Sequence, residues 1–207
     1  MAEYQTYPYD VLIIGAGGAG LRAAIEAAAV GTKVGVVCKS LLGKAHTVMA
    51  EGGVAAALAN VDDRDNWRVH FADTMRGGQY LNSWRMAELH AKEAPACVHE
   101  LEAWGALFDR TKDGRILQRN FGGHRYPRLA HVGDRTGLEM IRTLQDHGIH
   151  LGIDVFMEHT IVSLLGWRPC GWRVWVRPRA REVSPLPRQS GGAGHRRHWP
   201  GLQDYKQ

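Results

Sequence analysis

A glycine-rich turn between an apolar segment and an alanine-rich segment limits the fold more than any other feature of the chain. Residues 9–14 predict a short buried strand, the turn spans Gly15–Gly20, residues 19–30 predict a helix, and residues 33–38 predict a second strand. The order strand, G-x-G-x-x-G, helix, strand within about 30 residues is typical of a dinucleotide-binding β-α-β unit. The predicted fold is therefore α/β, with a Rossmann-like domain.

The three glycines of this pattern have different steric roles. Gly15 allows the tight turn, Gly17 allows the backbone to approach a pyrophosphate, and Gly20 allows the helix to pack closely on the strand. The N–H groups at the helix N-terminus and the positive end of its dipole then bind the phosphates. The residues expected to contact the cofactor here are Gly15, Ala16, Gly17, Gly18, Ala19 and Gly20.

The end of the second predicted strand distinguishes between dinucleotides. NAD sites usually carry Asp or Glu at this position, where the carboxylate binds the ribose hydroxyls. This chain has Lys39 and Ser40 there. The absence of an acidic residue at this position favours a flavin over NAD.

Residues 39–53 read KSLLGKAHTVMAEGG, which resembles the flavin-linking segment in the flavoprotein subunits of succinate dehydrogenase and fumarate reductase. In that family a His-Thr pair follows the second strand, and a Gly-Gly pair follows a few residues later. The resemblance implies that His46 is joined covalently to the 8α-methyl group of FAD, and that Glu51 and Phe121 form one edge of the substrate pocket. The other cofactor contacts that it implies are Lys39, Ser40, Lys44, Ala45, Thr47, Ala50, Gly52 and Gly53.

The resemblance covers residues 5–165. GRILQRNFGG at 114–123 is similar to the family's loop beside substrate and flavin, although Asn120 stands where the family commonly has Pro. DRTG at 134–137 matches the motif that opens the next helix. Between these two motifs the match is loose, and Arg125 and His131 are expected in a solvated loop.

Local signals predict further elements of the body. Asp65 is expected to cap a helix, and Pro95 is expected to kink or end the helical stretch at 83–104. Residues 113–115 have the chemistry of a hairpin turn. Six further histidines show no ligand-like spacing with acids or cysteines and are expected at the surface or with satisfied partners: His70, His90, His99, His147, His150 and His159.

The resemblance implies an enzyme that interconverts succinate and fumarate by hydride transfer at FAD and passes electrons to an iron–sulfur subunit. Membrane-anchor subunits would hold the complex on the inner, cytoplasmic face of the cytoplasmic membrane. The family's catalytic arginine lies in a region that this chain does not reach, so no catalytic residue is assigned and the chain alone is expected to be inactive. An aspartate-oxidase-like flavoenzyme is the weaker alternative, because that enzyme lacks a counterpart of His46.

The number and spacing of the cysteines limit which metal sites this chain could form. Cys38, Cys97 and Cys170 are scattered without a C-x-x-C pair, which argues against an iron–sulfur cluster or structural zinc held by this chain alone. No metal site is expected.

The composition changes sharply near residue 165. Residues 1–165 carry 17 Lys and Arg against 19 Asp and Glu, a net charge of −2, whereas residues 166–207 carry 9 against 2, a net charge of +7. The same 42 residues hold five of the eight prolines and four of the seven tryptophans. We therefore expect two parts: residues 1–165, the N-terminal part of an FAD-binding domain, and residues 166–207, a disordered tail.

A shift of reading frame explains this tail. Residues 189–207 can be encoded by DNA whose alternative frame reads AKAVVLATGGIGRAYKITS, which contains the A-T-G-G strand that the family has after this point. The hypothesis is a one-base insertion or two-base loss near codon 165. The competing interpretation is a small flavin-binding protein whose basic, tryptophan-rich tail binds nucleic acid or a membrane. The frameshift is favoured, so no nucleic-acid partner is expected.

Overall fold

The computed structural model describes residues 5–168, 171–178 and 203–206. The strands are β1 (Gln5–Pro8), β2 (Val11–Ile14), β3 (Val34–Val37), β4 (Val54–Ala55), β5 (Gln118–Arg119), β6 (Leu129–Ala130), β7 (Asp154–Phe156), β8 (His159–Arg168), β9 (Gly171–Pro178) and β10 (Gln203–Lys206). The helices are α1 (Gly18–Ala29), α2 (Trp67–Gly77), α3 (Trp84–Ala103) and α4 (Thr136–His150), and a short 3₁₀ helix spans His46–Met49. The chain divides into a first unit, Met1–Leu42 with Leu151–Gln207, and a second unit, Gly43–His150.

The first unit contains the predicted dinucleotide fold. β2, β3 and β7 form a parallel sheet in the order β2-β3-β7. All four residues of β3 are buried, as expected of a parallel strand covered on both faces. α1 connects β2 to β3 and buries Leu21, Ala24 and Ile25. The α/β fold with a Rossmann-like N-terminus is confirmed.

A second sheet of the first unit has the order β1-β10-β9-β8. Val174 and Val176 of β9 are 2% and 0% exposed and pack with Tyr9, Leu12 and Val37 in one core. Valines that alternate with other residues place their side chains on one face of a strand. Burial of this face allows the segment to form a strand although its overall composition is polar. The expected disorder is therefore wrong for residues 166–168, 171–178 and 203–206, which lie in strands. The rest of the expected tail lies outside the described residues.

The frameshift hypothesis stays a prediction, and the encoding DNA tests it directly. Resequencing from codon 150 to well past codon 207 is expected to reveal an open frame that resumes in A-T-G-G after the shift is corrected. Codon degeneracy lets many DNA sequences encode these residues. The alternative frame therefore supports the hypothesis only if its similarity to the family continues beyond codon 207. A clean read that ends at codon 207, with no related sequence in any other frame, would contradict the hypothesis.

The second unit contains three α-helices, α2, α3 and α4, and a small sheet. α2 contacts α3, and the antiparallel sheet has the order β4-β6-β5. Gly114 lies in the left-handed region at φ +82°, within a turn closed by a bridge between Arg110 and Ile116. The hairpin turn at 113–115 is thereby confirmed.

The predicted cap of α2 is wrong. The cap is Asn66, whose side chain accepts hydrogen bonds from the amides of Arg68 and Val69, while Asp65 is buried in an ion pair with Arg128. Of the two outcomes expected at Pro95, a kink or a helix end, the end is not observed, since α3 continues through Pro95 from Trp84 to Ala103. The helix buries residues from Ala87 to Leu101 along one face, and this packing offsets the cost of about 3 kcal/mol that an interior proline carries. No helix in the described ranges has the length and hydropathy needed to cross a membrane.

Candidate functional site

The glycine turn of the first unit has the geometry that a close phosphate approach requires. Gly15 has φ +105°, and its amide donates to the carbonyl of Val37 at 2.8 Å. A Cβ atom on Gly20 would lie 2.0 Å from the carbonyl oxygen of Gly15, so only glycine fits there. α1 begins at Gly18, and its cap residue Gly17 has no side chain that could bind the first amides of the helix. The N-terminus of the helix thus presents backbone amides with no side-chain cap, which fits a pyrophosphate.

Lys39 and Ser40, also in the first unit, are exposed directly after β3. The backbone around them is held by two contacts. The amide of His159 donates to the carbonyl of Cys38 at 2.9 Å, and the Cys38 thiol donates to the carbonyl of Ser40 at 3.1 Å. Burial raises the pKa of the Cys38 thiol, so this cysteine stays protonated and acts as a structural residue.

The predicted flavin-linking segment lies in the second unit. His46 opens the 3₁₀ helix and is exposed, as are Lys44 and Ala50, while Ala45 and Thr47 are half-buried. The amide of Ala50 donates to the carbonyl of Thr47 at 3.1 Å and closes the turn. An exposed imidazole at the start of a closed turn is accessible to a ligand.

The first turn of α4 fixes this segment from the other side. The amide of Gly137 donates to the carbonyl of Ala50 at 2.7 Å. A Cβ atom on Gly137 would lie 1.9 Å from the carbonyl oxygen of Thr47. Gly137 is the last residue of the DRTG motif, so this motif supplies a close backbone contact to the segment that carries His46.

Of the two predicted substrate-edge residues, Phe121 lies beside Gly52, the residue that follows Glu51. Glu51 is exposed, and Phe121 is 58% exposed. A Cβ atom on Gly52 would lie 3.6 Å from the Phe121 ring, and Gly53, at φ +126°, would place a Cβ atom 2.8 Å from the carbonyl oxygen of Ala130. The structure therefore places the Phe121 ring beside the segment that contains Glu51, Gly52 and Gly53 in the second unit.

A buried ionic cluster in the second unit was not anticipated from the sequence. The Arg128 guanidinium is fully buried and donates to both carboxylate oxygens of Asp65, at 2.7 and 3.2 Å. It also contacts Asp73 at 3.1 Å, and the amide of Arg125 donates to the same Asp73 carboxylate at 2.9 Å. This cluster holds the loop before β6 on α2. The only available signal was the pairing of isolated acids near α2 with an arginine about 60 residues later in the chain.

Histidines surround the cluster. His70 is 1% exposed, and its ring lies 5.1 Å from that of His90 and 6.0 Å from that of His124. Burial lowers the pKa of His70 to about 4, with the Arg128 charge adding to this effect, and burial likewise lowers the pKa of His124. Both imidazoles are therefore neutral near pH 7.

His131 was expected in a solvated loop, and that expectation is wrong. It is buried beside β6, with Nδ1 2.8 Å from a carboxylate oxygen of Asp109. Arg125 is exposed, as expected. Among the described residues, no three His, Cys, Asp or Glu side chains are grouped as metal ligands.

Comparison with known proteins gives a consistent result. A family model described as "FAD binding domain" matches residues 10–181, which extends beyond the expected boundary at 165. The chain is 45% identical over 200 residues to a fumarate reductase (CoM/CoB) subunit of Methanothermobacter marburgensis, covering 93% of this chain and 37% of that protein. It is 42% identical over 174 residues to the succinate dehydrogenase flavoprotein subunit of Coxiella burnetii, covering 80% and 29%.

A solved structure shares the fold. Mycobacterium smegmatis Sdh1, solved in complex with UQ1, superposes with a TM-score of 0.80 at 53% identity, covering 98% of this chain and 33% of that one. The chain thus spans about a third of the length of the relatives that it matches.

Proposed function

This chain belongs to the FAD binding domain family, and on that premise we propose that it forms part of the flavoprotein subunit of a succinate dehydrogenase or fumarate reductase. The full subunit interconverts succinate and fumarate. The observation that carries the proposal is the closed turn that exposes His46 beside residues 50–53, in a chain whose relatives bear these two names.

The cofactor is FAD. Its pyrophosphate is bound by the backbone of Gly15–Gly20 at the N-terminus of α1, which has no side-chain cap. His46 would carry the covalent link to the flavin, and Lys39, Ser40, Lys44, Ala45 and Thr47 would contribute further contacts. When bound, FAD supplies a two-electron hydride acceptor that this chain's own side chains lack.

The surface formed by Glu51, Gly52, Gly53 and Phe121 binds one edge of the dicarboxylate. Phe121 offers an exposed ring to the carbon chain, and the backbone at residues 51–53 approaches the ligand closely because two of these residues are glycines. The remaining carboxylate ligands and the proton-transferring arginine are supplied by the rest of the flavoprotein. By the same resemblance, the electrons pass to an iron–sulfur subunit, while membrane-anchor subunits hold the complex on the cytoplasmic face of the membrane.

A graft tests this function. Residues 10–165 of this chain replace the matching segment of M. smegmatis Sdh1, which is 53% identical, and the complex is purified with its other subunits. The grafted enzyme is expected to reduce a dye with succinate. After acid precipitation its flavoprotein is expected to retain flavin fluorescence.

His46→Ser is expected to abolish the acid-stable flavin completely, because no other group can form the link, and to lower succinate oxidation at least tenfold. His99→Ser is the matched control, since His99 is an exposed histidine on α3. Acid-stable flavin that persists in His46→Ser would contradict the assignment. Flavin that is bound but released by acid in the unsubstituted graft would favour an aspartate-oxidase-like enzyme.

A further inference from the structure

Three consecutive backbone carbonyls of the flavin-linking segment are each bound by a donor from elsewhere in the second unit. The Gly137 amide donates to the carbonyl of Ala50 at 2.7 Å. Arg119 Nη2 donates to the carbonyl of Glu51 at 2.7 Å, and Arg119 Nε donates to that of Gly52 at 2.8 Å. A single guanidinium therefore holds two adjacent peptide groups at the predicted substrate edge.

The guanidinium is itself oriented. Arg119 Nη1 donates to Asp134 Oδ1 at 3.1 Å, so three of its donors are engaged at once. Arg119 lies on β5, which pairs with β6, and β6 pairs in turn with β4, directly after Gly53. The planar fork of an arginine suits such a multiple contact, whereas a lysine offers one compact ammonium.

This arrangement has a geometric consequence for the opposite side of the segment. In a trans peptide the N–H points away from the preceding C=O. With the carbonyls of residues 50–52 directed toward Gly137 and Arg119, the amides of residues 51–53 are directed away from them. None of these three amides donates to a backbone acceptor within the described residues, so they are available to a ligand.

We propose that Arg119 is a positioning residue for succinate–fumarate chemistry. It binds the Glu51 and Gly52 carbonyls and thereby fixes the peptide groups whose amides face the ligand. The proposal rests on the function proposed above. A small displacement of a binding segment lowers the rate steeply, since a misplacement of about 1 Å can cost about 100-fold.

The test uses the same grafted complex with Arg119→Gln and Arg119→Lys, and rates are normalised to total bound flavin. Arg119→Gln is expected to lower kcat by roughly 10- to 100-fold, with KM changed less than about threefold, because substrate is still bound by the other ligands. Arg119→Lys is expected to recover part of the rate through one retained carbonyl contact. Asp134→Asn leaves the guanidinium in place and is expected to give an intermediate loss.

Arg142→Gln is the matched control. Arg142 lies on α4, its side chain is 62% exposed, and it pairs with Glu139 and Asp146 of the same helix, so its removal is expected to leave kcat unchanged. If Arg119→Gln and Arg119→Lys lose flavin content but keep the kcat per bound flavin, the role is merely structural and the proposal is overturned. An unsubstituted graft that binds FAD without oxidising succinate would instead overturn the proposed function.

Discussion

Replacing Gly137 with alanine is expected to destabilise the second unit by about 3 kcal/mol or more, the upper range for overpacking a close contact. The new Cβ atom would lie 1.9 Å from the Thr47 carbonyl oxygen and 2.9 Å from that of Ala50. Both neighbours are backbone atoms, which cannot rotate away as a side chain would. α4 must therefore separate from the 3₁₀ helix, and the hydrogen bond from Gly137 to Ala50 is lost. Urea unfolding of the full chain at pH 7 measures the change.

Gly77→Ala provides the matched control. Gly77 is also a helical glycine, but a Cβ atom there would meet nothing within 4 Å. Alanine at this position is expected to be neutral or to stabilise the chain by up to about 1 kcal/mol. Equal midpoints for Gly137→Ala and the unsubstituted chain would show that α4 does not approach the predicted flavin-linking segment as closely as the structure indicates.

Replacing Arg128 with methionine is expected to cost about 3–5 kcal/mol at pH 7, the range for removing one partner of a buried ion pair. Methionine fills part of the space, but it leaves the Asp65 and Asp73 carboxylates buried without their shared counterion. Arg76 contacts Asp73 only from the protein surface. Loss of the cluster also releases the loop that leads into β6. Urea unfolding of the full chain at pH 7 measures the cost.

The pH dependence of this cost has a predicted sign. In the unsubstituted chain, burial raises the pKa of Asp73, but the Arg125 amide and the Arg128 charge outweigh this effect and hold that pKa below its ordinary value. The resulting stability is present near neutral pH and is lost as the pH falls through the carboxylate range. Burial already raises the pKa of Asp65 in the unsubstituted chain, against the lowering effect of Arg128. Without the Arg128 charge the pKa values of both carboxylates rise, so in this variant the folded state binds protons more readily than the unfolded one. The destabilisation by Arg128→Met is therefore expected to shrink between pH 7 and pH 4.5.

The control for this substitution is Arg64→Met. Arg64 pairs with Asp62 at the surface, where its side chain is 69% exposed, and such pairs contribute little to stability because solvent screens them. Little or no change in the unfolding midpoint is expected. If Arg128→Met were equally mild, or its cost grew on acidification, the buried cluster would not be an ion pair that stabilises the fold.

The first 40 residues were readable from the sequence because their structure depends on local properties. The strand–turn–helix–strand order follows from glycine conformational freedom and from runs of apolar residues. Each end of β2, α1 and β3 lies within two residues of its predicted position. Gly20 is required by a contact with Gly15, only five residues away. The hairpin turn at 113–115 was likewise predictable from its local turn chemistry.

Predictions for single polar residues were less successful, since their partners are distant in sequence. Asp65 was expected at a helix cap, where a local amide would bind it, but Arg128 is 63 residues away and forms the stronger charge-assisted pair. His131 was assigned to a solvated loop because the family match is loose between residues 123 and 134, although it packs beside β6 near Asp109. Pro95 continues a helix because the buried face of α3 offsets the lost hydrogen bond.

The sequence by itself determined the α/β class, the glycine turn that is predicted to bind phosphate and the segment that carries His46, because glycine spacing and a contiguous motif act within a few residues of each other. The tertiary structure alone decided how that segment is held. Arg119 reaches Glu51 and Gly52 across 68 and 67 residues, and Gly137 reaches Ala50 from the start of α4. Such contacts depend on which strands pair and which helices pack, and these depend on burial summed over the whole unit rather than on any local pattern.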